Sequence, residues 1–233
     1  DVLGLEESIS RMKKENKKVP AWVTEMLAAG NDSFYKRIEG FNCYWDVNKK
    51  DYLPIPVSKK ELRFADFKYN GSLIDRHWSA SLIDLGDGVA GVEFHSVLKA
   101  ELNPLDGSII QILFNALNWV GENNFKGLVI SGDGTNFSAG ANLNMILSAA
   151  YRKDWDGINK ITGNMQQVLQ GLRFAPFPVV AAPFGLVLGG GYETIGACDK
   201  IVAAGESYIG LVEVGVGLIP GAGGNLRMIS NLS

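Results

Sequence analysis

The stretch PVVAAPFGLVLGGGYETIGACDKIVAAG, residues 178 to 205, constrains the fold more than any other part of this 233-residue sequence. Its valine-rich start reads as a strand buried on both faces, and KIVAAG reads as another. Between them three consecutive glycines, 189 to 191, precede a helix beginning near Tyr192. Glycines at a strand-to-helix junction let the main chain approach a ligand closely, and the first N–H groups of a helix have no partner within it. Such donors stabilise a carbonyl oxygen that becomes negative in a transition state, which makes the Gly190 amide the leading donor. Plain helix–strand packing uses the same glycines, and the triple alone does not separate the two uses.

Glu193 stands in the first turn of that otherwise apolar helix, next to whatever the loop binds. An acidic residue there also complements the helix dipole, which explains most such residues. Glu213 is the lone charge in YIGLVEVGVGLIP, where a solvated loop glutamate is the bland alternative. Two carboxylates on adjacent loops are able to hold one water, one taking its proton while the other gives a proton to carbon. FSAGANL (137 to 143) follows the apolar run KGLVIS and repeats the small-residue pattern. Ala141 is placed to offer a second amide and Asn142 to cap the next helix, or the segment is a capping loop and nothing more.

Around these motifs the sequence reads as an α/β domain from about residue 78 onward. SASLIDL and VAGVEFH alternate and meet at GDG, a hairpin turn. Ile109, Ile110, Leu113, Phe114, Leu117 and Val120 recur at helical spacing before KGLVIS, giving strand–helix–strand. Ile158, Ile161, Met165, Val168, Leu169 and Leu172 mark a second crossover helix, and ESYIGLVEVGVGLIPGAGG reads as a long loop before a last turn, NLRMIS. Upstream, residues 5 to 16 and 20 to 29 are expected as two helices, 31 to 75 as a wandering polar connection, and a domain boundary between 60 and 77. The division expected is 1 to 45 helical, 46 to 77 linker, and 78 to 233 catalytic core.

The balance of 22 basic against 25 acidic residues gives no footprint for nucleic acid. No apolar run suits a membrane span, and the N-terminus lacks a secretory pattern, so a cytoplasmic location is expected without membrane insertion. Cys43 and Cys198 offer no disulfide framework, and with His77 and His95 no metal-ligand cluster, so no metal is expected. VGVGLIPGAGG lacks the lysine and hydroxyl that end a phosphate-binding loop, which disfavours nucleotide hydrolysis and NAD binding by this portion. A serine peptidase is disfavoured because both histidines precede the glycine-rich loops.

FSAGANL, then GLVLGGGYE, then IGLVEVGVGLIPGAGG, in that order and spacing, resemble the enoyl-CoA hydratase/isomerase (crotonase) family over about residues 78 to 233. The resemblance implies a ββα-repeat core that binds an acyl-CoA thioester. Its oxyanion hole would fall on the amides of Ala141 and Gly190, and its two catalytic glutamates on Glu193 and Glu213. CoA and substrate contacts would fall on Ala139, Ala141 to Asn144 including Leu143, Gly189, Gly190, Pro220 and Gly221, with Lys99 of LKAELNPL (98 to 105) facing the phosphates. The reaction implied is syn hydration of a 2-trans-enoyl-CoA in fatty-acid β-oxidation. Two rivals remain, Δ3-Δ2-enoyl-CoA isomerisation and a nonenzymatic acyl-CoA-binding or interdomain scaffold. No cofactor is expected beyond the CoA of the substrate. Asn142 and Val212 depart from the family's usual aspartate and proline. The family continues past GAGG into helices that close the pocket and form trimer or interdomain contacts, so the chain reads as an excerpt, with homo-oligomerisation left open. The first 45 residues resemble the tail of a 3-hydroxyacyl-CoA dehydrogenase, which implies a fused upstream dehydrogenase domain carrying the NAD site.

Overall fold

The computed structural model describes residues 4–39, 41–56, 62–97 and 99–232. Leu98, which opens LKAELNPL, lies outside the described residues, as do residues 57–61 of the expected linker. The chain divides into two compact units, Asp1–Leu62 and Arg63–Ser233.

In the first unit, helix α1 (Leu5–Lys14) starts with Glu6 and Glu7 and ends with Lys13 and Lys14, charges that match its dipole at both ends. Leu5 and Ile9, one turn apart, bury against Val23 and Met26 of α2 (Ala21–Ala28). The segment after α2 is not the wandering connection expected. It forms an antiparallel meander of β1 (Tyr35–Ile38), β2 (Phe41–Asp46) and β3 (Asp51–Pro54). Asp46 turns the β2–β3 corner by accepting the Asn48 and Lys49 amides at 2.9 and 2.8 Å, and Trp45 meets Tyr52 edge-on across the strands. These strands are short and mostly solvent-facing, so they lack the apolar alternation that betrays a strand.

The second unit begins with α3 (Phe64–Tyr69) and β4 (Leu73–Arg76), also within the expected linker. A six-stranded sheet then runs β10-β8-β7-β6-β5-β4, with β5 (Ala80–Asp84), β6 (Val89–Phe94), β7 (Gly127–Ser131), β8 (Val179–Ala181) and β10 (Lys200–Ile201). The core sheet therefore starts before residue 78: β4 pairs antiparallel with β5 at its edge. The β5–β6 hairpin turns on Gly86, Asp87 and Gly88, all at positive φ, as GDG foretold. From β6 onward the pairing is parallel: α4 (Gly107–Glu122) supplies the crossover from β6 to β7 and α6 (Trp155–Arg173) that from β7 to β8, and residues 182–199 connect β8 to β10.

Alternation along β6 decides which face each helix covers. Ala90, Val92 and Phe94 enter the main core with Ile109, Leu113, Val168 and Leu169 of α4 and α6. Gly91 and Glu93 point the other way, toward α3. A side chain at Gly91 would strike Phe64 at 2.7 Å, and Glu93 is gripped by Lys68 Nζ at 2.6 and 2.9 Å. Asp133, in the loop after β7, accepts the Phe64 and Ala65 amides and so caps α3.

Beyond this sheet lies a smaller parallel layer hidden in the presumed loops. β9 (Leu186–Leu188) pairs with β11 (Tyr208–Gly210), and Ser138 bridges to Val187 on its other side. Strands of three residues carry no periodicity to read, but this layer brings the FSAGANL, triple-glycine and Glu213 segments together.

Candidate active site

The first site loop is fixed from below by Leu105, whose N–H donates to Gly140 O at 2.8 Å and whose carbonyl accepts from Asn142 N at 3.1 Å. Asn142 caps α5 (Leu143–Tyr151) with Oδ1 accepting from Met145 N at 3.4 Å, as the sequence led us to expect. The triple-glycine loop packs on it so closely that side chains are excluded. A Cβ on Gly140 would lie 2.9 Å from Leu188 O, and one on Gly191 would lie 2.8 Å from Ser138 O. Gly190 opens α7 (Gly190–Ile195), and a Cβ there would stand 3.7 Å from Ala141 N. Among the described residues neither the Ala141 nor the Gly190 N–H donates to a main-chain acceptor. Both residues line the same small volume.

Glu193 is carried inward by α7 and is 4% exposed. Its Oε1 accepts the Ala222 and Gly224 amides at 2.7 and 2.9 Å. Burial raises its pKa above the usual carboxylate range; the Gly224 and Ala222 amides work against this, the Glu213 charge adds to it, and Arg227 opposes it. Glu213 begins a 3-10 turn, Glu213–Val216, and its carboxylate lies over Gly189, where a Cβ would stand 3.4 Å from Oε1. Its Oε2 is buried without a protein hydrogen-bond partner. Gly189 holds φ 54° and ψ −121°, a conformation that favours glycine, and its amide donates to Gly210 O at 2.9 Å. Val212 has φ −124°, outside the range of a proline ring, so the family's usual residue does not fit this backbone.

Both carboxylates and both amide-bearing residues line one cavity of about 370 Å³, whose other walls are aliphatic, among them Leu143, Ile161, Met165 and Ile219. Among the described residues Glu193 and Glu213 are its only charged lining residues. Next to it runs an open groove of about 820 Å³ that shares Ala139, Ala141 and Leu143 with the cavity. Lys99, Asn142 and Asn144 line this groove, and Gly189, Gly190 and Gly221 line the cavity. Pro220 is the exception among the expected contacts, because it lines neither space and only connects Ile219 to Gly221.

Two residues escaped the sequence reading. Arg152, at the end of α5, lines the groove as a second cation beside Lys99. Arg227, on α8 (Gly224–Leu232), donates from Nη1 to Ala222 O at 2.5 Å behind Glu193. Arg227 did leave a signal, since no other lysine or arginine follows Lys200. Among the described residues no cluster of three or more His, Cys, Asp or Glu is placed to hold a metal, and no helix is long and apolar enough to cross a membrane.

Such a site is suited to binding an apolar chain ending in a carbonyl, accepting charge on the oxygen through two amides, and moving protons between two carboxylates across a water. Comparison with known proteins identifies the family. The family model for enoyl-CoA hydratase/isomerase matches residues 85–233. A probable 3-hydroxyacyl-CoA dehydrogenase of Bacillus subtilis is 39% identical over 99% of the chain and 28% of its own length. A putative fatty acid oxidation complex trifunctional enzyme of Rickettsia prowazekii is 31% identical over 78% of the chain and 24% of its own length. The crystal structure of an enoyl-CoA hydratase from Bacillus anthracis superposes with a TM-score of 0.58 at 28% identity, covering 65% of this chain and 57% of that one. The chain thus spans about a quarter of the length of these curated relatives.

Proposed function

Given that the chain belongs to the enoyl-CoA hydratase/isomerase family, we propose that it adds water to the α,β double bond of a 2-trans-enoyl-CoA, as one step of fatty-acid β-oxidation. The observation that carries this reading is the convergence of Glu193 and Glu213 on one apolar cavity walled by Ala141 and Gly190. The thioester oxygen accepts both amides, which stabilise the enolate charge that builds as water attacks the β-carbon. One carboxylate takes a proton from the water while its oxygen bonds to the β-carbon. The other delivers a proton to the α-carbon, so that H and OH add to the former double bond; the two carboxylates have then exchanged protonation states and reset by proton exchange with each other or with solvent before the next turnover. Burial favours a protonated Glu193 at a higher pH than an ordinary glutamate allows, which suits a group that must exchange protons near neutrality.

Glu193 and Glu213 are the assigned catalytic residues. The groove is assigned to the phosphates of CoA, with Lys99 and Arg152 as the cations that meet them, while its two acidic residues, Asp106 and Asp154, are engaged in capping α4 and α6. The 39% identity with the Bacillus subtilis protein named for 3-hydroxyacyl-CoA dehydrogenation supports a further reading, that the parent protein pairs this domain with a dehydrogenase that oxidises its product. Isomerisation of a 3-enoyl-CoA requires only one carboxylate, so it is the outcome the experiment must separate.

The test supplies 2-butenoyl-CoA in 18O-labelled water, with parent, Glu193→Gln and Glu213→Gln proteins. Hydration places one 18O in a 3-hydroxyacyl product, and each single variant loses about 100- to 10,000-fold in kcat. A parent that shifts the double bond of 3-hexenoyl-CoA but leaves 2-butenoyl-CoA unhydrated refutes the hydratase assignment in favour of isomerisation.

A further inference from the structure

Glu193 is held by a loop rather than by a neighbouring side chain. The amides of Ala222 and Gly224 converge on Oε1 at 2.7 and 2.9 Å, while Oε2 takes no donor from the protein among the described residues. Two amides separated by one residue aim at a single atom only if the loop between them is fixed. Two outside side chains fix it. Gln166 Nε2 on α6 donates to Gly221 O at 2.7 Å, and Arg227 Nη1 on α8 donates to Ala222 O at 2.5 Å.

Arg227 does more than touch this carbonyl. A Cβ on Gly223 would lie 2.9 Å from its Nη1, so the guanidinium lies against the loop's middle residue, which holds φ 94°. Its stem passes Gly196 at the end of α7, where a Cβ would meet Cδ at 3.4 Å. One side chain thus spans the helix that carries Glu193 and the loop that binds it. Among the described residues Arg227 lines neither the cavity nor the groove.

We infer that Arg227 is a positioning residue for Glu193: by holding the Ala222 carbonyl it keeps both loop amides trained on Oε1, leaving Oε2 to the reacting water. The inference rests on the reading that Glu193 is catalytic. The charges around the pair are few. Glu193 faces Glu213 and Arg227; Arg227 faces Glu193, Tyr192 and Cys198 from α7 and its end, and Arg173 from α6, with Asp199 beside Cys198. The amides and the cation both favour the ionised carboxylate, so slackening the clamp moves the titration of Glu193 to higher pH.

The test follows the side-chain carboxyl carbon of Glu193 by 13C NMR in the 233-residue chain, its resonance identified by its loss in Glu193→Gln. In Arg227→Gln, which keeps an amide donor but no charge, the midpoint is expected at higher pH than in the parent. Arg227→Lys, with a cation but no planar fork, is expected to show a smaller rise. In the hydration assay Arg227→Gln loses up to about 100-fold in kcat with KM largely unchanged, and its acid limb moves to higher pH. A Glu193 midpoint identical to the parent's in Arg227→Gln overturns the inference. Where Arg227→Gln does not fold, Arg227→Lys decides: a rise supports the inference and an unchanged midpoint overturns it. A parent without hydration activity would end the hydratase reading, while the carboxyl titration still tests the clamp.

Discussion

Replacing Gly190 by alanine separates a chemical role for the triple glycine from a packing role. The added methyl would stand 2.9 Å from Leu105 Cδ1 and 3.7 Å from Ala141 N. The first contact is with the tip of a flexible side chain, so it yields at a cost of about 1–2 kcal/mol of overpacking. The second brings the methyl to the space between the two amides, where on the proposed reading the thioester oxygen sits. Alanine keeps the N–H, so the methyl acts by displacing that oxygen from the two donors; if one hydrogen bond is lost in this way, the cost is about 3–4 kcal/mol in the transition state, or roughly 100- to 1000-fold in kcat. Gly191→Ala is the internal control, because its methyl would meet Ser138 O at 2.8 Å and Ser138 Cβ at 3.1 Å. Those are backbone and near-backbone atoms, so this variant loses about 1–3 kcal/mol of stability, roughly 2 to 12 °C in Tm. Initial rates with saturating 2-butenoyl-CoA and thermal unfolding by circular dichroism give both quantities. Should Gly190→Ala retain kcat within about threefold of the parent, less than 1 kcal/mol, the amide pair is not an oxyanion site and the glycines serve packing alone.

Three further outcomes follow from the same geometry. Burial raises the Glu193 pKa in the folded state, so its contribution to stability is complete below the unfolded value and is lost as pH rises through the folded one. Glu193→Gln cannot ionise, and its Tm relative to the parent should climb as pH rises above the ordinary glutamate value, about 4; a constant difference would contradict this. Lys68→Met leaves Glu93, only 3% exposed, without its cation, at about 3–5 kcal/mol in urea unfolding, and Glu93→Leu in the same chain should recover most of that loss. Lys99→Ala and Arg152→Ala should each raise the KM for an acyl-CoA by roughly 2- to 5-fold, an effect that shrinks with added salt; equal KM at all ionic strengths would remove the groove as the phosphate site.

Much of the scaffold was legible in the sequence because its signals are local. The GDG hairpin needs only residues able to adopt positive φ, and α4 and α6 announce themselves by apolar spacing over 16 and 19 residues. Both glutamates were legible too, Glu193 from its place after three glycines and Glu213 as a lone charge among aliphatics. The small parallel layer was not, since β9 and β11 are three residues each and exist only because Ser138, Val187 and Ile209 are brought side by side from far apart in the chain. For the same reason α3 and β4 read as linker in the sequence, because their anchors, Glu93, Asp133 and the edge of β5, lie downstream. The sequence by itself determined the order of the main elements, the two carboxylates and the two glycine-bearing loops. Only the tertiary structure decided that those loops share a cavity, that Pro220 stands outside it, that Arg152 lines the adjoining groove and that Arg227 holds the Ala222 carbonyl, because a cation's contacts depend on which carbonyl or groove the fold sets in front of it.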